Sequence, residues 1–178
     1  MKKLDSHFLG LGEFPALVVV DMCKAFIDPS SPLGFECSKL IDANVKLVQE
    51  FRNRNFPIFF TTTMYRNESE ASVFRKKIPA LNILKPNSNE VSFLEELSPT
   101  SNEVLIEKKF ASAFFQTNLF SILVHDISSG LVHNANSPAS VVGNHSAMCI
   151  IIEALEASDT ETPVKVNVVN AARWNVPT

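Results

Sequence analysis

Apolar runs and amphipathic segments alternate along the first third of the chain. Residues 15–21 read PALVVVD, a continuous apolar run rich in β-branched residues that ends in an acid, which is typical of a strand buried on both faces of a parallel sheet. Residues 38–55 carry apolar side chains at near-helical spacing with charges between them, and residues 56–65 form a second apolar run. The order strand, helix, strand predicts a βαβ unit.

The same alternation resumes after a polar excursion at residues 66–100, which is rich in Pro, Asn and Ser and predicts a connection with a short helix. The elements expected beyond it are a strand at 103–110, a helix at 118–127, a strand at 139–144, a helix at 149–157 and a strand at 164–172. This pattern predicts an α/β fold with a doubly wound, mostly parallel sheet and helices on both faces, a Rossmann-like arrangement of three layers.

The composition is that of one globular domain. A chain of 178 residues with 46% hydrophobic residues is long enough to bury a sizeable core, which we expect at 15–172, after an N-terminal extension at 1–14. The net charge of −3 comes without a basic stripe, so nucleic acid is not an expected partner. We expect neither a signal peptide nor a membrane span, and three cysteines, an odd number, favour a reducing compartment such as the cytoplasm.

Three chemically active side chains follow predicted strands at one edge of the sheet, where ligands gather in open α/β folds. Asp21 ends the first strand, Lys108 lies at the end of the third, and Cys149 follows the fourth by a short loop. A thiol at a helix N-terminus beside an ammonium favours the thiolate, and a carboxylate could take its proton and return it to a leaving amine. Each residue also has a plain structural interpretation, as a buried apolar thiol, a helix cap and a solvated charge.

The segments around these residues resemble the isochorismatase-like cysteine hydrolases, the superfamily that holds N-carbamoylsarcosine amidase, nicotinamidase and isochorismatase. The resemblance covers residues 15 to about 172, and three motifs carry it: PALVVVDMCKAFIDP, EKKFASAFFQTNL and VVGNHSAMC. The second motif, in which Lys108 precedes Ser112 by four residues, is the most specific and is closest to the carbamoylsarcosine branch. The resemblance implies that Asp21, Lys108 and Cys149 form a catalytic triad.

The resemblance also implies an oxyanion hole and a substrate pocket. A cis peptide is expected between Asn144 and His145, and the N–H groups of His145 and Cys149 are expected to bind the oxyanion. The rim of the pocket would come from residues 64–100 and 128–140. The side chains expected in the pocket itself are Cys23, Phe26, Tyr65, Phe114 and Met148.

Several positions depart from the family pattern. Cys23 and Lys24 stand where Gln-Asn is common, and the bulky Met148 precedes the cysteine where a small residue is usual. A sixth strand is not expected, because the sequence stops soon after the fifth. Metal-dependent nicotinamidases carry Asp-x-His near the end of the second strand, where this chain reads FTTTMYRNESE, so neither a metal nor a cofactor is expected. Isochorismatases that cleave a vinyl ether lack the cysteine, so Cys149 argues against that chemistry.

The leading hypothesis is an amidase-type hydrolase that cleaves the C–N bond of a small amide or carbamoyl compound through a thioester on Cys149. Two alternatives remain open: a catalytically silent member that serves as a scaffold or binding protein, and a redox sensor that uses the Cys149 thiol. By resemblance, we expect a homodimer or a homotetramer.

Overall fold

A computed structural model describes residues 15–123 and the backbone of three further strand segments. The strands are β1 (Pro15–Val20), β2 (Ile58–Thr63), β3 (Val104–Lys108), β4 (Ala139–Ser140), β5 (Met148–Ala154) and β6 (Val166–Val168). They form one sheet in the order β3-β2-β1-β5-β4, with β6 also paired to β5. The strands β1, β2 and β3 are parallel, whereas β5 runs antiparallel to β1, β4 and β6.

Three α-helices lie between the parallel strands and a fourth follows β3. They are α1 (Lys24–Ile27), α2 (Ser38–Asn53), α3 (Ser72–Lys77) and α4, which begins at residue 119 and is described to residue 123. Three short 3₁₀ helices, Pro79–Ile83, Asn89–Val91 and Glu95–Leu97, lie between α3 and β3. The predicted polar excursion with a short helix therefore exists, and its regular structure is limited to single turns and α3.

Side chains alternate along β1 between two core clusters. Leu17 and Val19 pack with the apolar face of α2, while Ala16 and Val18 pack with the beginning of α4. All four side chains are completely buried, which is why this strand reads as an unbroken apolar run. The predicted α/β architecture, with helices on both faces of the sheet, is confirmed.

The C-terminal part of the sheet departs from the prediction. The helix expected at 149–157 is wrong over most of its length, because residues 148–154 form β5. The three isoleucines at 150–152 are β-branched and favour extended backbone, and a short apolar run cannot be assigned to helix or strand by its pattern alone. The described parts of the fourth and fifth predicted strands are β4 and β6, and both are antiparallel to β5 instead of continuing the parallel order.

Two further expectations concern the extent of the chain. The N-terminal extension at 1–14 lies outside the described residues, and the assignment of a single domain stays a prediction. In the part of the chain that the structure describes, no helix has both the length and the apolar character that a membrane crossing requires.

Candidate active site

Asp21 and Lys108 form a buried ion pair at the carboxyl ends of β1 and β3. Lys108 Nζ lies 2.7 Å from Asp21 Oδ2, and the two side chains are 1% and 13% exposed, respectively. The ammonium also donates hydrogen bonds to the carbonyl oxygens of Phe110, at 3.0 Å, and Ala111, at 3.4 Å. These contacts satisfy a buried cation that would otherwise be strongly unfavourable.

The pair spans a strand that lies between its two members. Because β2 separates β1 from β3, the two backbones are about 10 Å apart, and the long lysine stem crosses most of that distance. Asp21 adopts a φ of 55°, in the left-handed region, where the chain leaves β1. Asp tolerates this conformation better than most residues, and such strained positions cluster at functional sites.

Burial controls the titration of the groups around Asp21. It raises the pKa of the Asp21 carboxyl, while the Lys108 ammonium and the Thr63 hydroxyl act in the opposite direction. The raised pKa brings the carboxyl closer to the range in which it can both accept and return a proton. Burial, reinforced by the charge of Asp21, raises the pKa of the Cys23 thiol to about 12. Cys23 therefore stays a neutral thiol at physiological pH.

The predicted pocket residues divide into two groups. Cys23 and Tyr65 are only 0% and 4% exposed and belong to one core cluster, so their place in the pocket stays a prediction. Phe26 and Phe114 are partly buried and pack at the edges of two different clusters. The side chain of Met148 lies outside the described residues, so its place in the pocket stays a prediction.

The backbone of Cys149 pairs with β1 close to the acid. Its Cα is in register with Val19, two residues before Asp21. The thiol itself, and the expected cis bond between Asn144 and His145, lie outside the described residues. Because Cys149 is in a strand, the prediction that a helix dipole stabilises its thiolate is wrong.

Four charged residues that the sequence analysis did not single out tie the ends of β2 and β3 together. Lys109 Nζ donates to the Met64 carbonyl and to Glu70 Oε2, both at 2.8 Å, and it also contacts Glu107. Glu107 forms a second ion pair with Arg66. We refer to Arg66, Glu70, Glu107 and Lys109 as the β2–β3 clasp. The sequence signal was the position of two of these charges on either side of Lys108.

Removal of the Lys109 ammonium is expected to loosen this clasp. The Lys109→Met variant should lose about 1 to 2 kcal/mol of unfolding free energy, since its partly buried hydrogen bonds are charged. The Lys109 hydrogen bond lowers the pKa of Glu70 below its ordinary 4.5, so this stabilisation is present above that pH and is lost on acidification. Urea unfolding at pH 7 and pH 3.5 measures both effects.

The matched control for this measurement is Lys46→Met. Lys46 lies on the exposed face of α2, so its replacement should leave the unfolding free energy nearly unchanged. Equal stability of the two variants at pH 7 would show that the clasp contributes nothing.

The described residues also bear on metal binding. Among them, no three His, Cys, Asp or Glu side chains come together as a metal would need. The expectation that the protein uses neither a metal nor a cofactor stays a prediction, because much of the C-terminal third lies outside this description.

Two curated relatives resemble this chain along most of its length. N-carbamoylsarcosine amidase from Arthrobacter sp. is 27% identical over 175 residues, which represent 94% of this chain and 66% of the relative. Maleamate amidohydrolase from Pseudomonas putida is 26% identical over 120 residues, which represent 65% of this chain and 55% of the relative. The chain thus spans less than two thirds of the length of either relative.

A solved structure and a family model match the same group of hydrolases as the curated relatives do. A cysteine hydrolase from Pseudomonas syringae pv. phaseolicola 1448A superposes with a TM-score of 0.57 and 28% identity, over 61% of this chain and 52% of that chain. The model of the isochorismatase domain matches residues 15–164, a segment that contains Asp21, Lys108 and Cys149. With most of its length matched and its acid and lysine paired at the sheet edge, the chain belongs to the isochorismatase family of hydrolases.

Proposed function

We propose that this protein is a cysteine-dependent hydrolase that cleaves the C–N bond of a small amide or carbamoyl compound through a thioester intermediate. The observation that carries the proposal is the buried contact of 2.7 Å between Asp21 and Lys108 at the carboxyl edge of the sheet. A buried ion pair is weak evidence for a purely stabilising role, it lies at the sheet edge where ligands gather in open α/β folds, and the named activities of both curated relatives are amide hydrolyses.

The proposed reaction uses Asp21 as a proton carrier. Asp21 takes the proton of the Cys149 thiol, and the thiolate attacks the carbonyl carbon while the Lys108 ammonium stabilises the negative charge. The N–H groups of His145 and Cys149 are proposed to bind the oxyanion. When the C–N bond breaks, Asp21 returns its proton to the leaving nitrogen. Water then attacks the thioester and gives a proton to Asp21, the acid leaves, and Asp21 returns that proton to the Cys149 thiolate.

Other features of the proposal follow the family. A homodimer or homotetramer in the cytoplasm, with a small-molecule substrate and without metal or cofactor, fits the family match and the odd number of cysteines. The pocket is proposed to use Phe26, Phe114 and Met148 at its surface, with Cys23 and Tyr65 behind them.

One observation favours a catalytically silent scaffold as the second candidate. Cys149 lies in β5, so it lacks the helix N-terminus that would help to stabilise a thiolate. In that case Asp21 and Lys108 would be a structural pair, and Cys149 would react as an ordinary thiol. A redox sensor would instead show reversible oxidation of Cys149 without amide turnover.

Two measurements test the proposal. The first is the pH dependence of iodoacetamide alkylation at each cysteine, followed by peptide mapping. The second is ammonia release from N-carbamoylsarcosine and maleamate. We expect Cys149 to reach half-maximal alkylation below the roughly pH 8.5 of a free thiol, because the proposed triad puts the Lys108 ammonium beside the thiol. Cys37, a buried thiol at the beginning of α2, serves as the internal control. Alkylation of Cys149 with the pH profile of an ordinary thiol, and no ammonia from either compound, would favour the scaffold.

A further inference from the structure

The last three residues of β2 are threonines, and their hydroxyl groups differ in what they contact. Thr61 and Thr63 are both buried, at 0% and 3% exposure. The hydroxyl of Thr61 has no hydrogen-bond partner among the described residues. Thr63 Oγ1, in contrast, donates to Asp21 Oδ1 at 3.2 Å. Two threonines of one strand, similarly buried, thus separate into one that contacts the candidate site and one that does not.

Thr63 lies at the end of the strand between the two members of the ion pair. It is in register with Lys108 on β3, and β2 is the strand between the aspartate and the lysine. The residue at this position must be small enough for the lysine stem to pass and polar enough to pair with a buried carboxylate. Threonine meets both requirements, whereas a larger side chain would stand between the two charges.

The two oxygen atoms of the Asp21 carboxylate have different donors. Lys108 contacts Oδ2, and Thr63 contacts Oδ1. The torsion that turns a carboxylate about its own axis is soft, so a single contact would leave the plane of the group poorly defined. A second donor on the other oxygen removes that freedom, and it also stabilises the ionised form.

We propose that Thr63 is a positioning residue, which holds the Asp21 carboxylate in the plane from which it exchanges a proton with the substrate site. This role rests on the function proposed above, in which Asp21 carries the proton. Thr63 itself touches neither the reacting thiol nor the substrate in this scheme.

The other titratable groups around Asp21 determine how loss of the Thr63 hydroxyl changes the ionisation of the carboxyl. The described groups that face the carboxylate are Lys108 from β3, Cys23 from the turn after β1, and Tyr65 from the end of β2. Cys23 and Tyr65 both have pKa values raised to about 12, so they stay neutral near pH 7. Lys108 then remains as the charge that opposes protonation of Asp21, and loss of the Thr63 hydroxyl should favour the neutral carboxyl.

Carbon-13 NMR of aspartate-labelled protein measures this directly, with the Asp21 signal assigned from the Asp21→Asn variant. At the pH where wild-type Asp21 is half ionised, Thr63→Val should lower the ratio of ionised to neutral Asp21 by at least about threefold. Thr63→Ser keeps the hydroxyl and should restore the wild-type ratio. Thr61→Val is the matched control, since it replaces a buried threonine of the same strand whose hydroxyl has no partner within the described part of the chain, and it should leave the ratio unchanged.

The outcomes separate this proposal from the proposed function. An identical Asp21 titration in the wild type and Thr63→Val, or an equal shift in Thr61→Val, would overturn the role of Thr63. A shift in Thr63→Val that is reversed in Thr63→Ser supports it, whether or not the protein hydrolyses an amide. Where ammonia release is measurable, kcat/KM of Thr63→Val should fall most on the acid side of its pH profile, because the base must be ionised there.

Discussion

The Cys149→Ala variant is expected to lose amide hydrolysis by a factor of roughly 10⁴ or more, because without the thiol no thioester forms. The measurement is kcat for ammonia release from whichever of the two probe compounds the wild type hydrolyses. Asp21 and Lys108 lie at the ends of β1 and β3 and contact each other directly, so their ion pair should survive the substitution. Full turnover by Cys149→Ala would rule out the proposed mechanism.

The other cysteines provide the control and exclude a substitute nucleophile. Cys37 is buried at the beginning of α2, with its Sγ 3.6 Å from the Ile27 carbonyl oxygen, and Cys37→Ala should keep the wild-type kcat. Cys23 cannot replace the missing thiol, because it is fully buried and its pKa of about 12 keeps it protonated. Residual activity in Cys149→Ala should therefore not depend on alkylation of either cysteine.

Loss of one member of the ion pair is expected to be the largest single effect on stability. Lys108→Met should lower the unfolding free energy at pH 7.5 by about 3 to 5 kcal/mol, since it leaves the buried Asp21 without its counter-charge. The double variant Asp21→Asn/Lys108→Met should lose less than the sum of the two single variants, by about 1 to 3 kcal/mol. Asn is the appropriate replacement because it tolerates the left-handed backbone at position 21.

The pH dependence of this loss has a definite sign. Burial raises the pKa of Asp21 above its ordinary 3.8, so the folded state binds this proton more tightly than the unfolded state. The contribution of Asp21 to stability is therefore greatest below pH 3.8 and declines as the pH rises to the folded-state pKa. Without Lys108 that pKa rises further, and the decline extends to higher pH.

Chemical denaturation of the wild type and Lys108→Met at pH 5 and pH 7.5 tests this sign. The deficit of the variant should be smaller at pH 5, where more of the Asp21 population is neutral. A deficit that is equal at both pH values, together with additive single substitutions, would show that the two charges are not energetically coupled. Lys46→Met controls for the general loss of a lysine.

The contact between Asp21 and Lys108 was predictable from the sequence, and the contacts around it were not. Parallel strands bring their carboxyl ends to one edge, so an acid after β1 and a lysine at the end of β3 were expected to meet. Nothing in a run of three threonines shows which hydroxyl finds a partner, because the contact of Thr63 with Asp21 depends on the register of β2 against β1. Lys109 looks like any solvated lysine until the loop after β2 folds back over it.

The strand β5 shows the limit of reading periodicity in short segments. The isoleucines at 150–152 suit a buried helix as well as a buried strand, and only the available edge of β1 decides between them. The same limit explains why the predicted helix dipole at Cys149 was wrong, while the family assignment, which depends on residue spacing and not on secondary structure, was confirmed.

The order of residues along the chain has a consequence for synthesis on the ribosome. Asp21, Thr63 and Lys108 all precede Cys149, and β1, β2 and β3 pair without any later segment. Since synthesis proceeds from the N-terminus, both the carboxylate and the ammonium are present in the chain before the thiol is made. Until β5 emerges, the backbone N–H and C=O groups along one edge of β1 are unpaired. The nascent chain at that stage therefore exposes a strand edge that could pair with another chain, and a chaperone would have to cover it.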